Sequence, residues 1–159
     1  MKRNIYADFS YLFVVAATFG GVLVLGALVA PVVFHTDRLL FGLLLDRYNA
    51  GIIMAEIFHR FSYLISFVGL FVLLYEGVQY KKGQRDSIVL ASSAMVVFAS
   101  FMFSVVYAPK ILAMQALGRE ATLSDTFEHL HLASEIDFKL LALSLGVLFV
   151  RRLMLMKID

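Results

Sequence analysis

The chain has no cysteine and no tryptophan, only two prolines, and charge on just 16% of its 159 residues. Without cysteine there is no disulfide, thiolate metal site, iron–sulfur cluster or cysteine nucleophile, so any metal must be held by His, carboxylate or Met. The few charges sit in short clusters between long uncharged runs. That pattern excludes a disordered chain, a nucleic-acid binder and a soluble enzyme. No Gly-rich phosphate loop, Ser-His-Asp arrangement or nucleotide motif is visible. What remains is apolar: 61% of residues are hydrophobic and the mean hydropathy is +0.85. A single soluble domain of this length cannot hide so much apolar surface, which makes the lipid bilayer the first partner.

A bilayer core about 30 Å thick needs roughly 20 apolar residues of helix. The sequence reads as one all-α domain, 1–159, an integral membrane bundle of four transmembrane helices spanning residues 9–34, 55–76, 87–109 and 130–151. Lys2 and Arg3 before the first run mimic a signal peptide, but the run is too long and Ala30-Pro31 offers no small-residue cleavage site. The second span reaches full length only if Glu56, His59 and Arg60 belong to its upper turns. The fourth has a charge-free core, Leu140 to Val150, that is too short to cross, so it must carry Glu135, Asp137 and Lys139 at membrane depth. Ser124-Asp125 with Glu128 has the form of a capping box at its start. Between the first two spans, Asp37 to Arg47 reads as an interfacial segment.

Eight bases lie at the end holding the termini and the second loop, against six at the other end, so both termini are expected in the cytoplasm of an inner bacterial membrane. All four histidines, His35, His59, His129 and His131, fall at the opposite end. Small residues four apart in the first span, among them Ala16, Ala17, Gly20, Gly21, Gly26 and Ala30, permit close packing within the bundle or against a second copy.

Two Glu-x-x-His patterns open the second and fourth spans, Glu56-Ile-Phe-His59 and Glu128-His129-Leu-His131. Residues three or four apart share a helix face, and Glu135 extends the face of His131. Such sets in helical bundles hold transition metals, with His131 and His59 as nitrogen ligands and Glu56, Glu128 and Glu135 as oxygen ligands. A second reading makes His59 and His131 axial ligands of haem b in a membrane oxidoreductase. A third is a non-catalytic partner or small-solute permeation protein in which the cluster is an ion-pair network. Glu135 and Lys139, in the favourable order, can simply neutralise each other.

Several local motifs carry a family resemblance: Gly20-Gly21 with Val29-Ala-Pro-Val-Val-Phe34, Ala50-Gly51 with Phe58-His-Arg60, Tyr107-Ala-Pro109, and Phe127-Glu-His-Leu-His-Leu-Ala-Ser134. On these the chain resembles the transmembrane protein 205-like family, small four-helix membrane proteins with a domain of unknown function. It departs at His59, where that family often has Pro. A more distant similarity to copper-resistance protein D and to HemJ-type protoporphyrinogen oxidases implies metal or haem handling.

Overall fold

A computed structural model describes residues 5–38 and 45–156, and its regular structure there is entirely helical. Four long helices dominate: α1 (Ile5–Phe34), α2 (Arg47–Lys81), α3 (Ser87–Ala116) and α4 (Asp125–Met156). A single turn of helix, Arg119–Thr122, joins the last two. Residues 39–44, the centre of the expected interfacial segment, and the terminal bases Lys2, Arg3 and Lys157 lie outside the described residues.

The starts of α2, α3 and α4 each have a side-chain oxygen to receive their unpaired amides. Asp46 accepts from the Asn49 amide at 2.8 Å, and Asp86 accepts from the amides of Ile88 and Val89 at 3.1 and 3.0 Å. Ser124 accepts from the Phe127 amide at 3.3 Å. The expected box from Asp125 to Glu128 is therefore displaced: Asp125 is already the first helical residue, and Ser124 before it supplies the cap. α2 and α3 are followed by Gly83 and Gly118 at φ +91° and +102°, left-handed conformations that a Cβ would oppose.

Pro109 is the expected end of the third span and Pro31 lies three residues inside the first, and both helices continue through them. Pro31 and Pro109 each follow a wider π-helical stretch, Leu25–Val29 and Met102–Tyr107. Proline lacks an amide hydrogen and its ring crowds the carbonyl four residues back, and a locally widened turn relieves that clash without ending the helix. α3 consequently reaches Ala116 rather than Pro109. α2 and α4 are also longer at both ends than the apolar runs alone suggest.

α1 packs on α2 and α4, and α3 likewise packs on α2 and α4, whereas α2 and α4 have little backbone contact. All four contribute to one apolar core, with Val15 and Val22 from α1, Ile65, Val68 and Val72 from α2, Val96 and Ala99 from α3, and Leu141, Leu145 and Leu148 from α4. Two small residues of α1 let rings of neighbouring helices approach: a Cβ at Gly21 would meet the Phe61 ring at 3.2 Å, and one at Gly26 would meet Phe138 at 3.7 Å, whereas one at Gly20 would meet nothing within 4 Å. The outer faces are apolar too, with Phe13, Phe67, Leu74, Phe98 and Leu143 all exposed. α1, α2 and α3 are long and apolar enough to cross a membrane. α4 is as long, but Glu135, Asp137, Lys139, Arg151 and Arg152 interrupt its apolar composition.

Candidate functional site

At the end opposite the termini the helices diverge, and the two π-helical stretches flank a cavity of about 1370 Å³. Its inner wall is apolar, formed by Gly26 of α1, Met54 and Phe58 of α2, Phe103 of α3 and Phe138 of α4. The three phenylalanines make a ring cluster, Phe58 and Phe103 each lying 5.2 Å between centroids from Phe138. The rim is polar: His35, Asp46, Arg119, Glu128, His131, Glu135 and Lys139 all line it. Asp46 ties the rim together by capping α2 while pairing with Arg119. The Asn49 amide and the Arg119 guanidinium together hold its carboxyl below the usual range.

The structure gathers only part of the sequence-predicted set here. Glu128, His131 and Glu135 line the cavity, and His35 joins them. Glu56 and His59 are not among its lining residues. Glu56 is exposed and accepts from Arg60 Nε at 2.7 Å, one turn along. His59 is half-buried, its Nε2 3.1 Å from the Tyr63 hydroxyl. Glu135 accepts from Lys139 Nζ at 2.7 Å, and the His131 ring stacks parallel to Phe127. Among the described residues no three His, Asp or Glu side chains come together as a group able to hold a metal ion. The expected ligands are thus divided, with Glu128, His131 and Glu135 on the cavity and Glu56 and His59 off it, and Glu56 and Glu135 each pair with a cation one turn along. Nor does the cavity offer a haem both of the expected axial ligands, since His131 lines it and His59 does not.

The densest polar chemistry is at the other end, among residues far apart in sequence. Arg152 of α4 donates through Nε to Glu76 Oε1 of α2 at 2.9 Å, and its Nη2 bonds Glu76 Oε2. Its Nη1 reaches Gln84 at 2.6 Å. The Tyr11 hydroxyl of α1 donates to the same Glu76 at 2.6 Å, and the Tyr75 hydroxyl donates to Asp8. Tyr11 and Tyr75 stack at 3.8 Å between centroids, with Arg152 over the Tyr75 ring. Glu76 and Arg152 are 6% and 7% exposed. Beside them Asp86 caps α3 and accepts from both Nε and Nη2 of Arg151, which holds its carboxyl down to about 2. A small cavity of about 220 Å³ adjoins this network. The available signal was Tyr75-Glu76, a lone carboxylate inside an apolar helix, together with the Arg151-Arg152 pair.

Comparison with known proteins adds a family. A model of a domain of unknown function, DUF4149, matches residues 13–120, more than half of the chain. The chain belongs to that family. The DUF4149 match runs from α1 through α3 and stops before α4, so it includes the apolar wall contributed by Gly26, Met54, Phe58 and Phe103 but not the polar face of Glu128, His131 and Glu135. No curated protein and no solved structure matches the chain.

Proposed function

We propose that this DUF4149 protein is a four-span membrane bundle that binds a small amphipathic molecule in the wide cavity. The observation that carries the reading is the cavity's division into an apolar inner wall and a polar rim. An apolar body would lie against Phe58, Phe103 and Phe138, and a hydrogen-bonding head group would meet Glu128 and His131. Simple permeation is disfavoured, because the buried Glu76–Arg152 pair and Tyr11 close the opposite end. Metal handling and haem chemistry receive less support, since the predicted ligands are dispersed. The resemblance to transmembrane protein 205-like proteins agrees with four helices and brings no ligand.

A fourth crossing is supported by where the α4 side chains point. Asp137 and Arg152 are buried, whereas Leu132, Ile136, Leu140, Leu143, Val147, Val150 and Met154 form an exposed apolar stripe. That stripe is about 33 Å long at 1.5 Å per residue, enough for a hydrocarbon core. The surplus of bases at the other end puts the termini in the cytoplasm and the cavity mouth outside, consistent with an inner bacterial membrane.

The test is saturable binding of an environment-sensitive amphiphile, anilinonaphthalene sulfonate, to protein in lipid nanodiscs. Ala27 lines the cavity, so Ala27→Phe places a ring in it. The expected outcome is saturable binding to the wild type and about tenfold weaker binding to the variant, a difference of roughly 1.4 kcal/mol. Equal binding by both proteins would remove the cavity from the account.

A further inference from the structure

The turn between α2 and α3 carries three cations, Lys81, Lys82 and Arg85, and all three are exposed. Among the described residues none of them forms an ion pair. The reason lies in α4. Glu76 and Asp86, the carboxylates on either side of the turn, are captured by Arg152 and Arg151, and Asp8 accepts from Tyr75. The turn is left with three positive charges and no counter-charge. At the opposite end, by contrast, Arg60, Arg119 and Lys139 each face a carboxylate. Arg85 is also positioned, its guanidinium 5.0 Å from the centre of the Tyr80 ring.

An apolar stripe leads to these charges. Phe67, Leu70, Leu74 and Val78 of α2 are between 50% and 60% exposed. Their spacing of three and four residues puts them on one helix face, and Lys81 continues it. From Phe67 to Val78 the stripe runs about 17 Å at 1.5 Å per residue, close to the roughly 15 Å of hydrocarbon in one leaflet. Ile88, in the first turn of α3, is exposed as well.

We propose that the α2–α3 turn binds the phosphate of an anionic phospholipid, with an acyl chain lying along the stripe from Phe67 to Val78. A cluster of Lys and Arg immediately beyond a membrane helix attracts anionic head groups. The planar guanidinium of Arg85 can take two phosphate oxygens at once, and the two lysines add point charges beside it. A zwitterionic head group brings its own cation and gains less from the turn. The stripe selects a lipid over free phosphate or a soluble acidic protein, since only a lipid supplies an apolar chain to cover it. This inference needs α2 and α3 as membrane helices and does not depend on what the wide cavity binds.

The chain has no tryptophan, so Val78→Trp puts a single fluorophore on the stripe. In phosphatidylcholine vesicles, a lipid brominated on its acyl chain quenches that fluorophore only from contact distance. With the turn intact, brominated phosphatidylglycerol is expected to quench at about fivefold lower mole fraction than brominated phosphatidylcholine, the factor that one basic residue contributes at an anionic surface. Replacing Lys81, Lys82 and Arg85 together by Gln should bring the ratio to one. Undiminished quenching by the phosphatidylcholine probe shows that this variant is still folded in the membrane. Arg85→Lys keeps the net charge yet loses part of the preference, because an ammonium does not reproduce the fork held over Tyr80. Lys110→Gln, at the opposite end, leaves the preference intact. Equal quenching by the two lipids with the turn intact would overturn the site, as would a preference that survives the triple replacement. An unmoved Arg85→Lys would replace the site by diffuse charge. Loss of the preference in inorganic phosphate, but not in NaCl of equal ionic strength, would assign the turn to free phosphate and overturn the lipid.

Discussion

Replacing Arg152 with Met is expected to destabilise the protein by about 3–5 kcal/mol, the cost of leaving Glu76 charged, buried and unpaired. Arg152 and Glu76 are both almost fully enclosed, and each supplies most of the other's polar contacts. The cost belongs to the stranded partner more than to the pair. The double variant Glu76→Leu, Arg152→Met should therefore recover most of the loss. It falls short by the price of the Tyr11 hydroxyl left without its acceptor, about 1–3 kcal/mol, which Tyr11→Phe then restores. Unfolding midpoints in a detergent titration read all three proteins. A wild-type midpoint for Arg152→Met would show that the guanidinium is solvated and the network is not buried.

Gly69→Val is expected to cost more than 1–3 kcal/mol, about what overpacking by a few atoms costs a tight core. In an open helix, exchanging Gly for Ala stabilises by about 1 kcal/mol. At Gly69 that gain is overwhelmed, because the new Cβ stands 2.8 Å from Ser100 Cβ and 3.1 Å from its Oγ. Both atoms are close to backbone and have little freedom to retreat, so α2 and α3 must separate. Gly77 lies two turns along the same helix with nothing within 4 Å of an added Cβ, and there Gly77→Ala should be neutral or stabilising. Ser100→Gly should relieve much of the cost of Gly69→Ala. The same detergent titration compares them, and a Gly69→Val midpoint equal to that of Gly77→Ala would refute the close crossing.

The helical class and the three apolar spans were legible because long uncharged runs leave few alternatives. Helix ends were less so. A proline at the end of an apolar run looks like a stop, and only the structure shows that Pro109 is absorbed by a widened turn, whereas the first span ends at Phe34 as expected. The Glu-x-x-His patterns placed Glu128, His131 and Glu135 on one cavity, as helical spacing dictates. The same spacing concealed the local competition, for Arg60 lies four residues after Glu56 and Lys139 four after Glu135, and each captures its carboxylate. The Tyr11–Glu76–Arg152 network was hidden for the opposite reason. Its members are far apart in sequence, and each alone looks like a charge or ring marking the edge of a membrane.

The central claim is that α4 is a fourth membrane span, which puts the cavity and the Glu76–Arg152 network at opposite membrane faces. Because the chain has no cysteine, single cysteines can be placed on a clean background. Gly83 sits in the α2–α3 turn, Leu123 just before α4 is 79% exposed, and Met154 near the end of α4 is also exposed. Gly83→Cys, Leu123→Cys and Met154→Cys would be labelled in sealed vesicles with a membrane-impermeant maleimide. The account predicts that Gly83→Cys and Met154→Cys react from one side and Leu123→Cys from the other. Reaction of Met154→Cys from the same side as Leu123→Cys would contradict it, since α4 would then not cross.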